Sequence, residues 1–242
     1  MAWQRRRNKK TDSLEEAEER LQRPKVIHPG RVSGLETQKK NHKRFSVFID
    51  DKFAFGLHQD VLLEHSLHTG MELDEAGINT LLAADALLRA KEAAITYLGH
   101  RARSEKEVRT KLKGKGFEEE IIAIVIRRLH ELSYLDDERF AQNYIRSRFK
   151  VKGYGPQRIR SELRRLGIAD KLIEHSIDEL LPKDAISERA LAEAEKRLKR
   201  LRNEPDIYKK RRKLFDFLIR RGHTTDVARE VIEQLRLGDN SI

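Results

Sequence analysis

The 242-residue sequence contains no cysteine, which excludes a disulfide scaffold, a cysteine-ligated zinc site and a cysteine nucleophile. Apolar residues make up 38% of the chain, below the roughly 45–50% of an average globular domain. The core must therefore be narrow or divided among small units. No window approaches the ~18–20 successive apolar residues of a membrane span. The N-terminal stretch MAWQRRRNKKTDSLEEAEERLQRPKV is cationic but has no apolar segment behind it, unlike a secretory signal. A soluble, cytoplasmic protein is expected. Catalytic signatures are also scarce. KGKGF and GYGP pair glycines without forming a G-x-x-x-x-G-K-[ST] phosphate loop, and none of the nine histidines falls in an H-E-x-x-H pattern. His28, His42, His58, His65 and His68 gather toward the N-terminal part, where a surface role accounts for them.

What the chain has in excess is positive charge: 51 Lys and Arg against 40 Asp and Glu, a formal net charge of +11. A surplus of this sign favours a polyanionic partner, through attraction rather than specificity. Its distribution is uneven. From Arg139 to Arg165 the cations Arg139, Arg146, Arg148, Lys150, Lys152, Arg158, Arg160, Arg164 and Arg165 stand against the single acid Glu162. A second run, from Lys196 to Arg221, includes Lys209, Lys210, Arg211 and Arg212. With so few acids nearby in sequence, these cations are expected to remain unpaired. Arg146, Arg148, Lys150, Lys152, Arg158, Arg160, Arg164, Arg165 and Lys209–Arg212 are therefore the candidate partner- or DNA-binding residues.

The pattern changes along the chain. Residues 1–30 read as a flexible charged tail, with a short helix conceivable at Ser13–Arg20. In RFSVFIDDKFAFGL, Phe45, Val47 and Ile49 alternate onto one face, and Phe53, Phe55 and Leu57 resume after a turn at Asp50–Lys52. This is a hairpin pattern, and RVSGLETQ can supply a third strand. With a helix at Gln59–Ser66, residues 31–73 form a small β-containing module. From residue 74 strand signals stop, and DEAGINTLLAADALLRAKEAAITYLGH reads as one long helix ending near Gly99.

The remainder repeats. Aligned on Gly116, Gly167 and Gly222, the residues four earlier are Leu112, Leu163 and Leu218, and those eight earlier are Val108, Ile159 and Leu214. Downstream, Ile121, Leu172 and Val227 align, then Ile126, Ile177 and Ile232, then Leu129, Leu180 and Leu235. Each segment is a helix, a glycine stop and a second amphipathic helix, and a preceding helix completes the unit. Those preceding helices are expected at Ala86–Leu98, Glu138–Arg148 and Ala185–Leu201. Ser104 with Glu107 forms a capping box, Pro156 sits at a first helical position, and Asp184 is placed to cap the third unit. The fold class is mainly α, with tandem three-helix repeats at 74–135, 136–182 and 183–237 and a tail at 238–242. Stacked units of this kind are expected to make an elongated, curved array with a monomeric chain.

The acidic run Asp136–Glu138 could suggest a metal or carboxylate site. Adjacent residues on a helix do not face one another, however, and a metal would need further ligands converging from elsewhere. As a helix start the run needs nothing more, because Asp136 or Asp137 can satisfy free backbone N–H groups at the positive helix end. Asp136, Asp137, Phe140, Gly116, Gly167 and Gly222 are thus structural positions, and no metal, cofactor or catalytic residue is expected. Tyr144, Phe149 and Tyr154 could stack on bases, but their spacing fits core positions better.

SEKEVRTKLKGKGF, YLDDERFAQNYI and GYGPQRIRSELRRLGI resemble the successive signatures of the RecX family, bacterial regulators of the RecA recombinase. TQKKNHKRFSVFIDDKFAFGLHQDVL is similar to the β-containing extension of the longer, chiefly Gram-positive members. The likeness runs from about Arg31 to Leu235. It is most specific around Phe140–Ala141 and loosest in NEPDIYKKRRKLFDFLIRRGH, while the first thirty residues add nothing to the resemblance. The resemblance implies a nonenzymatic modulator that lies in the groove of a RecA–single-stranded-DNA filament. It also implies inhibition of ATP hydrolysis and strand exchange, limits on filament growth or stability, and an effect on recombination, DNA repair and the SOS response. Some members bind single- or double-stranded DNA directly, so a helical-repeat protein acting mainly through nucleic acid is the alternative.

Overall fold

The computed structural model describes residues 27–39 and 41–237. The helix considered at Ser13–Arg20 and the tail at 238–242 lie outside the described residues. The chain divides into two compact units between Leu88 and Arg89.

The first unit is built on an antiparallel sheet in the order β3–β2–β1–β4, from β1 (Gly30–Gln38), β2 (Asn41–Ile49), β3 (Lys52–His58) and β4 (Glu72–Leu73). The β2–β3 hairpin turns on Asp50 and Asp51, whose φ values of 46° and 62° give the left-handed pair a two-residue turn requires. Aspartate tolerates that conformation better than most residues. Val47, Ile49, Phe55 and Leu57 face the core as the alternation predicts, but Phe53 is 47% exposed. The pairing steps from Val47 opposite Phe55 to Phe48 opposite Phe53, which leaves Ala54 as an extra residue. That bulge turns Phe53 to the other face, where its ring meets Phe48 edge-on at 6.0 Å. The strand β4 is too short to carry a visible alternation.

Helix α1 (Gln59–Glu64) stops slightly short of Ser66, and α2 (Glu75–His100) follows. Ile78 and Leu81 of α2 enter the same core as Val32, Val47 and Leu57. Buried Asp85 fixes the helix against two strands: both Nη atoms of Arg44 donate to its carboxylate at 3.1 Å, and the His58 N–H donates at 2.9 Å.

In the second unit, the end of α2 is followed by α3 (Glu105–Lys113) and α4 (Glu119–Glu131). Next come α5 (Asp137–Lys150), α6 (Pro156–Arg165) and α7 (Asp170–Leu180), then α8 (Lys183–Arg200), α9 (Ile207–Arg221) and α10 (Thr225–Gln234). The periodicity maps onto burial. Val108, Ile159 and Leu214 are fully buried, as are Leu112, Leu163 and Leu218. Ile121, Leu172 and Val227 are only half-buried, and the neighbouring column of Ile122, Ile173 and Ala228 is the inner one. The three stops share one geometry. Gly116, Gly167 and Gly222 have φ of 81°, 89° and 89°. The next residue's N–H returns to the carbonyl of Leu112 (3.3 Å), Leu163 (3.1 Å) or Leu218 (3.1 Å), taking up a carbonyl the helix end leaves free.

Helix starts follow the sequence with one exception. The Ser104–Glu107 capping box forms, Pro156 opens α6 behind Gly155, and the Asp136 carboxylate accepts from the Arg139 N–H at 2.8 Å. Asp184 does not cap: α8 begins two residues before the expected Ala185, Pro182 takes the cap position, and Asp184 falls inside the first turn. There its charge still meets the positive helix end.

Candidate functional site

Successive repeats join through one recurring contact. The start of each repeat's middle helix meets the glycine stop of the next repeat. At the first joint, Ser104 Oγ donates to the Leu166 carbonyl at 2.6 Å and Lys106 Nζ to the Arg165 carbonyl at 3.2 Å. At the second, the Gly155 N–H donates to the Arg221 carbonyl at 2.8 Å and the Gln157 N–H to the Gly222 carbonyl at 3.0 Å. Ser104 and Gly155 each lie twelve residues before their own glycine, and Leu166 and Arg221 each lie one before theirs. At the second joint orphan N–H groups of a helix start satisfy carbonyls of a helix end, whereas at the first the Ser104 hydroxyl and the Lys106 ammonium do so; opposed partial charges face each other at both.

The acidic run belongs to this architecture. Asp136 caps α5, whereas Asp137 reaches across to accept from the Glu105 N–H of α3 at 2.9 Å. Partial burial raises the Asp137 pKa against that hydrogen bond, and the charges of Glu105 and Asp136 add to the rise. Glu138 is exposed. Among the described residues no cluster of three His, Asp or Glu is arranged to hold a metal ion.

The cations of the second repeat divide into two sets. Arg148 and Arg158 converge on Glu162, at 3.3 and 3.1 Å, and the Tyr144 hydroxyl donates to the same carboxylate at 2.8 Å. Arg160 pairs with Glu174 at 2.9 Å, and Arg164 with Asp170 at 2.6 Å. The expectation that acids are too few to pair these arginines fails, because α7 brings Asp170 and Glu174 across from outside the basic stretch. Arg146, Lys150, Lys152 and Arg165 are exposed, and no carboxylate lies within ion-pair distance of them among the described residues. In the third repeat, Lys209 pairs with Asp206 at 3.7 Å, while Arg211 and Arg212 are exposed and Lys210 is half-buried.

The aromatics of the opening basic stretch are occupied. Phe149 is in the core of the second repeat, and Tyr144 and Tyr154 pack at its edge. Arg148 lies over the Tyr144 ring at 4.5 Å and Arg158 over Tyr154 at 3.8 Å. Tyr208, by contrast, is 86% exposed at the start of α9, immediately before Lys209–Lys213. Its sequence neighbours gave the signal, because a tyrosine directly ahead of five cations falls outside the apolar columns of its repeat.

Four models of one family match most of the described residues. Models of the RecX first, second and third three-helix domains match residues 90–129, 136–177 and 184–232. A model of the regulatory protein RecX N-terminal domain matches residues 30–74. The regulatory protein RecX of Clostridium botulinum (strain Alaska E43 / Type E3) is 32% identical over 205 residues, covering 84% of this chain and 95% of the relative. That of Bacillus subtilis (strain 168) is 35% identical over 204 residues, covering 84% and 76%. A crystal structure of regulatory protein RecX superposes with a TM-score of 0.65 at 28% identity, over 84% of this chain and 98% of that one. RecX from Lactobacillus salivarius superposes with a TM-score of 0.58 at 28% identity, over 64% and 99%.

Proposed function

Because the chain belongs to the RecX family of regulatory proteins, we propose that it binds the RecA–single-stranded-DNA filament in its groove. Bound there, it lowers RecA ATP hydrolysis and strand exchange and limits filament growth and stability, thereby tuning recombination and the SOS response. It acts in the cytoplasm as a monomer, without cofactor or catalytic step of its own. The observation that carries this reading is the tandem three-helix array with unpaired cations on successive repeats. Arg146, Lys150, Lys152 and Arg165 are on the second, and Lys210, Arg211 and Arg212 are on the third. Repeats joined in register can follow a partner that is itself a repeating polymer. Arg148, Arg158, Arg160 and Arg164 serve this surface less directly, since their charges are matched within the chain.

The test is a DNA-dependent RecA ATPase assay titrated with the purified chain. Turnover falls at or below stoichiometric amounts, and Arg146→Glu with Lys150→Glu and Lys152→Glu weakens the effect while helicity by circular dichroism is kept. Turnover unchanged across the titration rejects the proposal. A second reading, action mainly through nucleic acid, draws on exposed Tyr208 beside Lys209–Lys213, a pairing of ring and cations suited to single strands. It predicts RecA inhibition only when free DNA is limiting.

A further inference from the structure

Seven residues before the glycine, the first and second repeats carry Arg109 and Arg160. Both are held by carboxylates. Arg109 meets Glu105 at 2.7 Å and Glu119 at 2.8 Å, and Arg160 meets Glu174, seven residues after its glycine, at 2.9 Å. The third repeat departs from this pattern at both places: Phe215 stands where the arginine would be, and Arg229 where Glu174 would be. A groove of about 230 Å³ is left between α9 and α10, lined by Arg211, Arg212, Phe215, Arg229, Ile232 and Glu233. The spacing accounts for the lining. Arg211 and Arg212 lie four and three residues before Phe215, and Ile232 and Glu233 lie three and four after Arg229, so each set shares one helix face. All three arginines are exposed, and none has a carboxylate within ion-pair distance among the described residues, Glu233 included.

We infer that this groove is a docking site for an acidic segment of a partner protein, one that sets an apolar side chain between carboxylates. The second repeat contains the chemistry that the third lacks: at the same place, a guanidinium is satisfied by a carboxylate from the facing helix. In the third repeat the guanidinium is present and the acid is left for a partner to supply. Arginine suits that role, because its planar fork donates two parallel hydrogen bonds to a carboxylate. Half-buried Phe215 and the edge of Ile232 form an apolar floor with room for one side chain, which a bare polyanion leaves unused. Glu233 on the rim opposes a phosphate backbone, whose charge recurs at every step, whereas a peptide can set its acids opposite the arginines alone. The inference is independent of the recombinase reading, and its test contains no recombinase.

The experiment measures, by anisotropy at low salt, binding of the full chain to a fluorescein-labelled peptide with one phenylalanine between two runs of three glutamates. Two control peptides replace the phenylalanine by glycine or the glutamates by lysine. The phenylalanine peptide should bind, the glycine peptide should bind about tenfold more weakly, and the lysine peptide should not bind. Arg212→Gln with Arg229→Gln should weaken the phenylalanine peptide by on the order of tenfold or more, through lost charge-assisted hydrogen bonds. Arg229→Glu alone, which gives the third repeat the acid of the second, should have the same sign. Lys171→Gln, at an exposed cation of the second repeat, should leave binding within about twofold. The substituted side chains are exposed, circular dichroism checks the fold, and the peptide comparison needs no variant. No binding of the phenylalanine peptide, equal binding of the glycine peptide, unchanged affinity in the double arginine variant, or displacement by oligo-dT as effective as by unlabelled peptide would each overturn the assignment.

Discussion

Three glycine-to-alanine substitutions separate the two roles that glycine has in these repeats. Gly116 needs only its left-handed backbone: φ is 81°, and a Cβ there would meet nothing within 4 Å. Alanine at this position should cost the left-handed penalty alone, about 1–2 kcal/mol. Gly155 has the opposite requirement. Its φ of −76° suits any residue, yet a Cβ would overlap the Gly222 carbonyl and lie 2.5 Å from the His223 nitrogen. Both neighbours are backbone, so relief requires the joint to open. Opening it loses the Gly155–Arg221 and Gln157–Gly222 hydrogen bonds, at about 1 kcal/mol each. Overpacking adds about 1–3 kcal/mol, for a total of about 3–5 kcal/mol. Gly222 combines both features, with φ of 89° and a Cβ that would lie 2.9 Å from Arg158 Cα while overlapping its Cβ and backbone nitrogen. Because Gly155 and Gly222 share one joint, their costs will not add. Thermal unfolding followed by circular dichroism should show Gly116→Ala lowering the midpoint by about 2–8 °C, with larger losses for Gly155→Ala and Gly222→Ala. Hydrogen exchange should place the extra loosening at the start of α6 and at the stop between α9 and α10. If Gly155→Ala melts with the unaltered protein, or Gly116→Ala is as damaging as Gly222→Ala, the account of the joints is wrong.

Three more expectations follow from particular contacts. Asp137→Ala should destabilise the first joint by about 1–2 kcal/mol, because the Glu105 N–H loses its acceptor. Asp137→Asn, which keeps an acceptor without a partly buried charge, should be nearly neutral in urea melts. Buried His223 is held neutral, its pKa pushed down to about 4 by desolvation against the pull of Glu193. An unfolded histidine binds its proton near pH 6.5, so stability should be full above that pH. It should fall by on the order of 3 kcal/mol as pH drops from about 6.5 to about 4, and His223→Phe should flatten that part of the curve in pH-dependent melts. Finally, the stop at Gly116 and the start of α9 are a matching pair of joint faces, yet Lys113 and Lys115 flank one and Lys209–Lys213 the other. The chain should therefore sediment as a monomer, and Lys209→Glu with Arg211→Glu and Arg212→Glu should promote head-to-tail association.

The glycine register could be read from sequence because each stop obeys local rules: a left-handed residue, a fixed set of apolar positions and a cap that precedes them. Val108, Leu112 and their counterparts were identifiable on those grounds and are fully buried. What was hidden depends on residues distant in sequence. The bulge at Ala54 shows itself only once β2 and β3 are paired, so alternation alone puts Phe53 on the wrong face. The pairing of Arg160 and Arg164 was equally hidden, since Asp170 and Glu174 lie beyond the next glycine. A count of local acids cannot register a carboxylate supplied by an antiparallel neighbour. Asp137 is the subtler case. The acidic run is legible as a helix cap, but only Asp136 caps its own helix, and the helix start that Asp137 meets is one repeat away.

The joints explain how units with so little apolar surface hold together. A helix start carries unsatisfied donors and partial positive charge, and a glycine-terminated helix end carries unsatisfied acceptors and partial negative charge. Setting one against the other satisfies both with a few hydrogen bonds and little buried hydrocarbon, which suits a chain that is only 38% apolar. It also fixes the stagger of successive repeats through the carbonyls of each glycine stop, met by backbone N–H groups at the second joint and by the Ser104 and Lys106 side chains at the first. Side chains around each joint are then free to differ in charge without moving the frame. The first joint uses that freedom to present lysines, while the second turns its arginines inward on Glu162. Two equivalent joints can therefore offer different surfaces to a partner, and Lys111 and Glu162, at the same position in their repeats, set which surface is open to an anion.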